Sequence, residues 1–195
     1  MRDACLAEAL AIIEREGVES LSLREVSRRL GVSHQAPYRH FPSRDHLLAE
    51  IVAGAYRAFV AHLEARPRTG GAQGDLREMG RAYLTYARAH PLQYRLMFGT
   101  PLPNPAEHPD MMRHAERAFG LLRDAIAELP STEGARDLRA THLDALFVWS
   151  TLHGLSSIMS SDALDTVDLD DDLLEAAAAE TLRRIGFGLR ASKSD

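Results

Sequence analysis

Apolar residues recur along this chain at helical spacing, and no segment shows the β-branched alternation of a strand. Leu6, Ala9, Leu10 and Ile13 fall at i, i+3, i+4 and i+7, predicting a first helix that Gly17 ends. Ser22, with Glu25 three residues on, forms a capping box ahead of a short helix from Leu23 to Leu30, which stops at Gly31. Ser33 is placed to cap a third short helix, and Phe41-Pro42 ends it. Ser43 opens a long fourth helix with Leu48, Val52, Ala55 and Phe59 on one face. Pro67, Gly70, Gly71 and Gly74 mark a loop, and a helix of about 75–90 follows. A short helix runs from Pro91 through Met97-Phe98, and Pro101, Pro103, Pro105 and Pro109 break the chain again. Helices of about 110–129, 135–159 and 169–189 complete the pattern. The fold class read from this is all-α with about nine helices: a three-helix head over residues 1–47 and a larger helical body over 48–195.

Composition narrows the field. A chain of 195 residues, 45% hydrophobic and 26% charged, can bury a sizeable core. No apolar run approaches the roughly 18 residues of a membrane span. The early run Ala9 to Ile13 is flanked by Glu8 and Glu14, unlike the core of a signal peptide, so a cytoplasmic protein without membrane association is expected. One cysteine, Cys5, leaves no internal disulfide and no multi-cysteine zinc site; among Ala4, Leu6 and Ala9 it reads as a small buried residue. The net charge of −5 taken alone argues against a nucleic-acid binder. The distribution argues the other way, because residues 22 to 44 carry five arginines (Arg24, Arg28, Arg29, Arg39, Arg44) against one acid, Glu25.

That basic stretch contains SLREVSRRLGVSHQAPYRHF over 22–41: helix, tight glycine turn, helix. Val26 and Leu30 face inward, Val32 packs behind the turn, and Gly31 supplies the positive φ a sharp reversal needs. The outward groups after the turn all form hydrogen bonds: Ser33, His34, Gln35, Tyr38, Arg39 and His40. A helix-turn-helix that places its second helix in the major groove fits this pattern. By spacing alone, a helical hairpin with a solvated basic face fits it equally well. In the first reading His34, Gln35 and Ala36 meet base edges, Gln pairing with adenine and the alanine methyl touching thymine. Tyr38, His40 and Arg44 would then bond phosphates, with Ser22 or Arg24 gripping the backbone on the other flank and Arg39 a further DNA-binding candidate.

The string GVSHQAPYRHFPSRDHLL closely resembles the recognition segment of the tetracycline-repressor (TetR) family, and SLREVSRRL resembles the pattern that precedes it there. The resemblance spans about residues 3 to 52 and is most specific over 22–48. It implies DNA contacts at Ser22, Ser33, His34, Gln35, Ala36, Tyr38, His40 and Arg44. Pro37 departs from it, standing where the family has a small aliphatic residue; proline there starts the regular helix late and shifts where His34 and Gln35 point. In the body, His90-Pro91, Tyr94 to Phe98, and Trp149 followed by His153-Gly154 resemble a subgroup of TetR-like C-terminal domains with a Trp…His-Gly signature.

The expected function is therefore a homodimeric repressor, released from a palindromic double-stranded operator by a small, largely apolar effector; the rival readings are a DNA binder of the same fold without an effector and an enzyme using the body histidines. Tyr86, Phe98, Met111, Met112, Phe119, Trp149 and His153 are the candidate effector-lining residues, being large, apolar or polar-tipped, and close to the proline-rich loop. The last two helices are the expected two-fold contact, with Ala176 to Ala179, Gly186 and Gly188 allowing close approach. No cofactor, metal or catalytic set is expected. His108 and His114 are six apart and His142 and His153 eleven apart, which is no standard ligand spacing. The acids Asp162, Asp165, Asp168, Asp170, Asp171 and Asp172 lack the glycine and terminal glutamate of a calcium loop and instead suit a helix N-terminus.

Overall fold

In a computed structural model of the chain, residues 1–130, 137–161 and 171–191 are described, and every regular element among them is helical. Among the described residues are eight α-helices and three short 3₁₀ turns, so the expected all-α class holds, with one of the expected helices absent there. The missing one is the third. Between Gly31 and Phe41 the chain makes a backbone turn and then a 3₁₀ turn at Pro37–Arg39. Its bonds are mostly three residues apart: Ala36 N–H donates to Ser33 O at 2.9 Å, and His40 N–H donates to Pro37 O at 2.9 Å. Pro37 has no N–H to give, and its buried ring stands at the first position of the turn.

Contacts gather into two compact units, residues 1–58 with 92–116, and 59–91 with 117–195. In the first, α1 (Arg2–Glu16) buries Cys5, Ala9, Ile12 and Ile13 and ends at Gly17, φ 84°. Of the expected face Leu6, Ala9, Leu10 and Ile13, Ala9 and Ile13 are buried, and Leu6 and Leu10 are only half-buried. An apolar stripe wider than one row has a centre that periodicity alone does not locate, and here small Cys5 takes the inner track. α2 (Leu23–Leu30) buries Leu23, Val26 and Ser27. α3 (Arg44–Glu64) opens with Ser43, whose Oγ accepts the His46 N–H at 3.2 Å, and it buries Leu48, Val52, Ala55 and Phe59 as its spacing requires. The Tyr56 hydroxyl donates to Met97 O at 3.1 Å in α5 (Pro91–Phe98), and burial pushes that phenol up to about 12.

In the second unit, α4 (Ala72–Ala89) starts earlier than predicted, because Asp75 anchors the preceding loop. Its carboxylate accepts the Thr69 N–H at 2.6 Å and the Thr69 hydroxyl at 2.9 Å. The later part of α6 (Pro109–Ala127), then α7 (Leu138–Met159) and α8 (Asp171–Ala191), complete this unit. Gly80 sits where α4 meets α8, and a Cβ there would collide with the Leu182 methyl. Among the described residues, no helix is long and apolar enough to cross a membrane. Asp162, Asp165, Asp168 and Asp170, and the turn residues 131–134, lie outside the described residues.

Candidate nucleic-acid interface

The basic segment is built by two capped ends. Ser22 adopts an extended conformation, and its Oγ accepts the Glu25 N–H at 3.1 Å, which starts α2. Gly31 ends α2 with φ 65° and ψ 29°, and Val32 N–H donates back to Ser27 O at 3.1 Å. A left-handed residue at this point turns the chain sharply, and no heavy atom lies within 4 Å of where a Gly31 Cβ would stand. The half-buried Leu30 and Val32 flank the turn.

Beyond the turn the chain is polar and exposed. Ser33, His34, Gln35, Tyr38, Arg39 and His40 are all exposed, Tyr38 by 41%; Ala36 is half-buried. The His34 and Tyr38 rings stand 5.5 Å apart on one side of the 3₁₀ turn. Phe41, buried, anchors the far end, with the Arg2 guanidinium 5.7 Å above its ring. The arrangement is a short, exposed ridge of donors and acceptors pinned in its middle by buried Pro37 and at its far end by buried Phe41.

The five arginines are not equivalent. Glu25 does not close the capping box. Its carboxylate instead accepts from Arg28 Nε at 2.8 Å and Arg29 Nε at 2.7 Å, and these guanidinium partners pull its pKa down to about 2. Arg29 also reaches Glu16, and lies 3.7 Å from Glu8. Arg44 donates to Val18 O at 2.8 Å and Leu21 O at 3.0 Å, so it ties the loop between α1 and α2 to the start of α3. Arg24 and Arg39 are exposed and enter no ion pair among the described residues. The free positive charge of the basic segment therefore rests on those two, Arg24 on α2 and Arg39 on the ridge. Glu25 at three and four residues from Arg28 and Arg29 was the sequence signal for this; the Arg44 bonds to carbonyls had none.

The candidate effector residues fall into separate groups. In the second unit Phe119, Trp149 and His153 form a chain of half-buried rings, 6.0 Å and 6.3 Å between centroids. Burial lowers the His153 pKa, and its Nε2 stands 3.5 Å from Ser157 Oγ. Tyr86 is buried in a different cluster, with Phe59 at 5.1 Å, His62 at 5.3 Å and His90 at 4.5 Å. Phe98, Met111 and Met112 belong to the first unit, where Phe98 packs on Tyr94 at 5.0 Å and Met111 is fully buried. Among the described residues no group of three or more metal-ligating side chains occurs.

α7 and α8 also expose large apolar residues. Leu143 is 57% exposed, Phe147 46% and Phe187 51%; Leu146, Ile158 and Leu173 are exposed as well. The Phe147 ring lies over Gly188, whose Cβ would stand 3.5 Å from ring Cε1.

Comparison with known proteins gives a consistent result. Residues 6–51 match the family model described as bacterial regulatory proteins, tetR family, and residues 76–183 match the tetracyclin repressor-like C-terminal domain. The HTH-type transcriptional regulator Rv0681 of Mycobacterium tuberculosis is 28% identical over 195 residues, covering 98% of this chain and 86% of its own. The crystal structure of regulatory protein SCO4313 superposes with a TM-score of 0.75 at 28% identity, covering 94% of each chain. A TetR protein from Acinetobacter baumannii AYE, solved in complex with minocycline, shares the fold with a TM-score of 0.63 at 20% identity, covering 100% of this chain and 99% of its own.

Proposed function

This chain belongs to the tetR family of bacterial regulatory proteins and is a helix-turn-helix transcriptional regulator, not an enzyme, and from that premise we propose that it acts in the cytoplasm as a homodimeric, ligand-released repressor. The exposed polar ridge after Gly31 carries the reading. We assign residues 1–47 to DNA binding and 48–195 to dimerisation and ligand response. His34, Gln35 and Ala36 read base edges in the major groove. Ser22, Arg24, Ser33, Tyr38, Arg39 and His40 hold the phosphate backbone, and Arg44 holds the loop that frames them. The apolar side chains exposed on α7 and α8 support a two-fold contact between copies, since apolar side chains exposed together mark interaction surfaces. Two copies then set two heads about one helical turn of DNA apart.

An effector acts by favouring the conformation whose head spacing does not fit the operator, and its leverage equals its difference in affinity between the two states. A protein of this fold solved with a small molecule supports ligand control. Selection of binding sites from random duplex DNA tests the reading: a palindrome with half-sites about 10 base pairs apart is expected. A single unpaired half-site, or no enriched sequence, overturns it.

A further inference from the structure

α4, α7 and α8 enclose a partly open cavity of about 230 Å³ in the second unit. Its walls are apolar: Leu76 from α4, Leu152 from α7, and Ile185 with Gly186 from α8, among others. None of the aromatic and methionine residues singled out from the sequence lines it. Two glycines at its edge play different parts. Gly80 is a packing glycine, because a Cβ there would strike Leu182. Gly186 faces space, since no heavy atom lies within 4 Å of where its Cβ would be. The nearby side chains therefore leave the space beside Gly186 unfilled, an apolar recess that is open on one side.

Among the described residues one cation borders this void. Arg77 follows Leu76 on α4 and lines the cavity while remaining exposed. It enters no ion pair among the described residues, whereas Arg81, one turn further along α4, lies 3.5 Å from Glu78. A guanidinium with free donors beside an apolar void matches a guest with an apolar body and one carboxylate, which the planar fork can hold by two parallel bonds. The volume sets the scale of the part of the guest that is buried. A dry cavity of about 150 Å³ accepts benzene, and drug-sized ligands need roughly 300 Å³ or more. A volume of about 230 Å³ falls between them. A single cation and apolar walls disfavour a phosphate dianion, and Arg77 disfavours a cationic ligand.

We propose that this cavity is the effector site and that it takes a small monocarboxylate with a medium-length apolar tail, Arg77 reading the carboxylate. The effector role rests on the regulator reading above; the binding chemistry stands apart from it. Isothermal titration of the intact protein with octanoate and with octanol tests the binding. Octanoate should bind once per chain, about tenfold more tightly than octanol. Arg77→Gln should bring octanoate down to the octanol level and leave octanol unchanged. Gly186→Leu fills the void and should abolish both, while circular dichroism, the thermal midpoint and the sedimentation coefficient stay at wild-type values, so that loss of binding is not loss of pairing through α8. Gly186→Ala, which adds only a methyl, should weaken both ligands and covers the case in which leucine disturbs the fold. No binding of either ligand, equal binding of the two, or octanoate binding that survives Arg77→Gln or Gly186→Leu overturns the proposal. Binding of the ligand-free protein to a DNA site selected from random duplexes is measured separately. Octanoate should release that DNA over the range in which it binds. DNA binding without octanoate binding removes the cavity proposal alone, and octanoate binding without DNA binding removes the regulator reading alone.

Discussion

Truncating Phe147 to alanine probes the two-fold contact most directly. The ring is 46% exposed in the single chain, so pairing would bury about the second half of it. Full burial of a phenylalanine is worth about 1.5–3 kcal/mol, which puts the pairing share near 1 kcal/mol per ring. A two-fold interface contains the ring twice, so Phe147→Ala should cost about 2 kcal/mol, a roughly 30-fold rise in the dimer Kd. Sedimentation velocity over a concentration series reads this directly. Leu102→Ala is the matched control, as Leu102 is 38% exposed but lies in the proline-rich loop of the first unit and belongs to neither α7 nor α8. The control should leave the Kd unchanged. An intact protein that stays monomeric at micromolar concentration, or a Phe147→Ala dimer as tight as wild type, would refute the assignment of this face.

Gly31→Ala should lower stability by about 1 kcal/mol through left-handed backbone strain alone, a fall of about 2–4 °C in the melting midpoint. Gly31→Asn should lower it less, because asparagine tolerates that conformation; an asparagine variant worse than alanine would show that strain is not the cause. The Glu25 carboxyl is held at about 2 by Arg28 and Arg29, below its usual value near 4.3, so its contribution is complete above that value and lost as pH falls towards 2. The stability difference between wild type and Glu25→Gln, followed by amide exchange in α2, should therefore shrink on acidification from pH 6 to pH 2.5. A difference that stays constant over that range counts against the ion-pair cluster. Arg24→Ala and Arg39→Ala should each reduce the salt slope of DNA binding by about 1, and Arg28→Ala by less, because Arg28 is already paired with Glu25.

Helix existence was readable from spacing because each helix carries an apolar stripe and a recognisable stop. The short helix at Pro91–Phe98 was placed correctly at both ends, proline opening it and Gly99 standing just past its end. The head was legible in the same way, from Ser22, Gly31 and Ser43 as chain punctuation. Three things were not. The buried centre of α1 lies on Cys5 and Ile12, since a broad stripe looks alike from several rotations. The segment after Gly31 is a turn and a 3₁₀ element, where capping logic alone expected an α-helix and the weight of Pro37 was the deciding factor. The charge of the basic stretch is partly spent on Glu25, Glu16 and main-chain carbonyls, which depends on partners far along the chain. The cavity beside Gly186 belongs to the same class: a void arises from how three helices meet, and a lone glycine reads from sequence only as a small residue.

Whether the exposed ridge reads DNA decides the functional assignment. Binding curves for wild type, Gln35→Ala, Tyr38→Phe and His40→Ala on a selected operator and its single-base variants measure this. The expected result is a Gln35→Ala protein whose preference changes at one base pair by about 1–3 kcal/mol, with the other two weakened alike on every sequence. Affinity and preference unchanged in all three variants would contradict it.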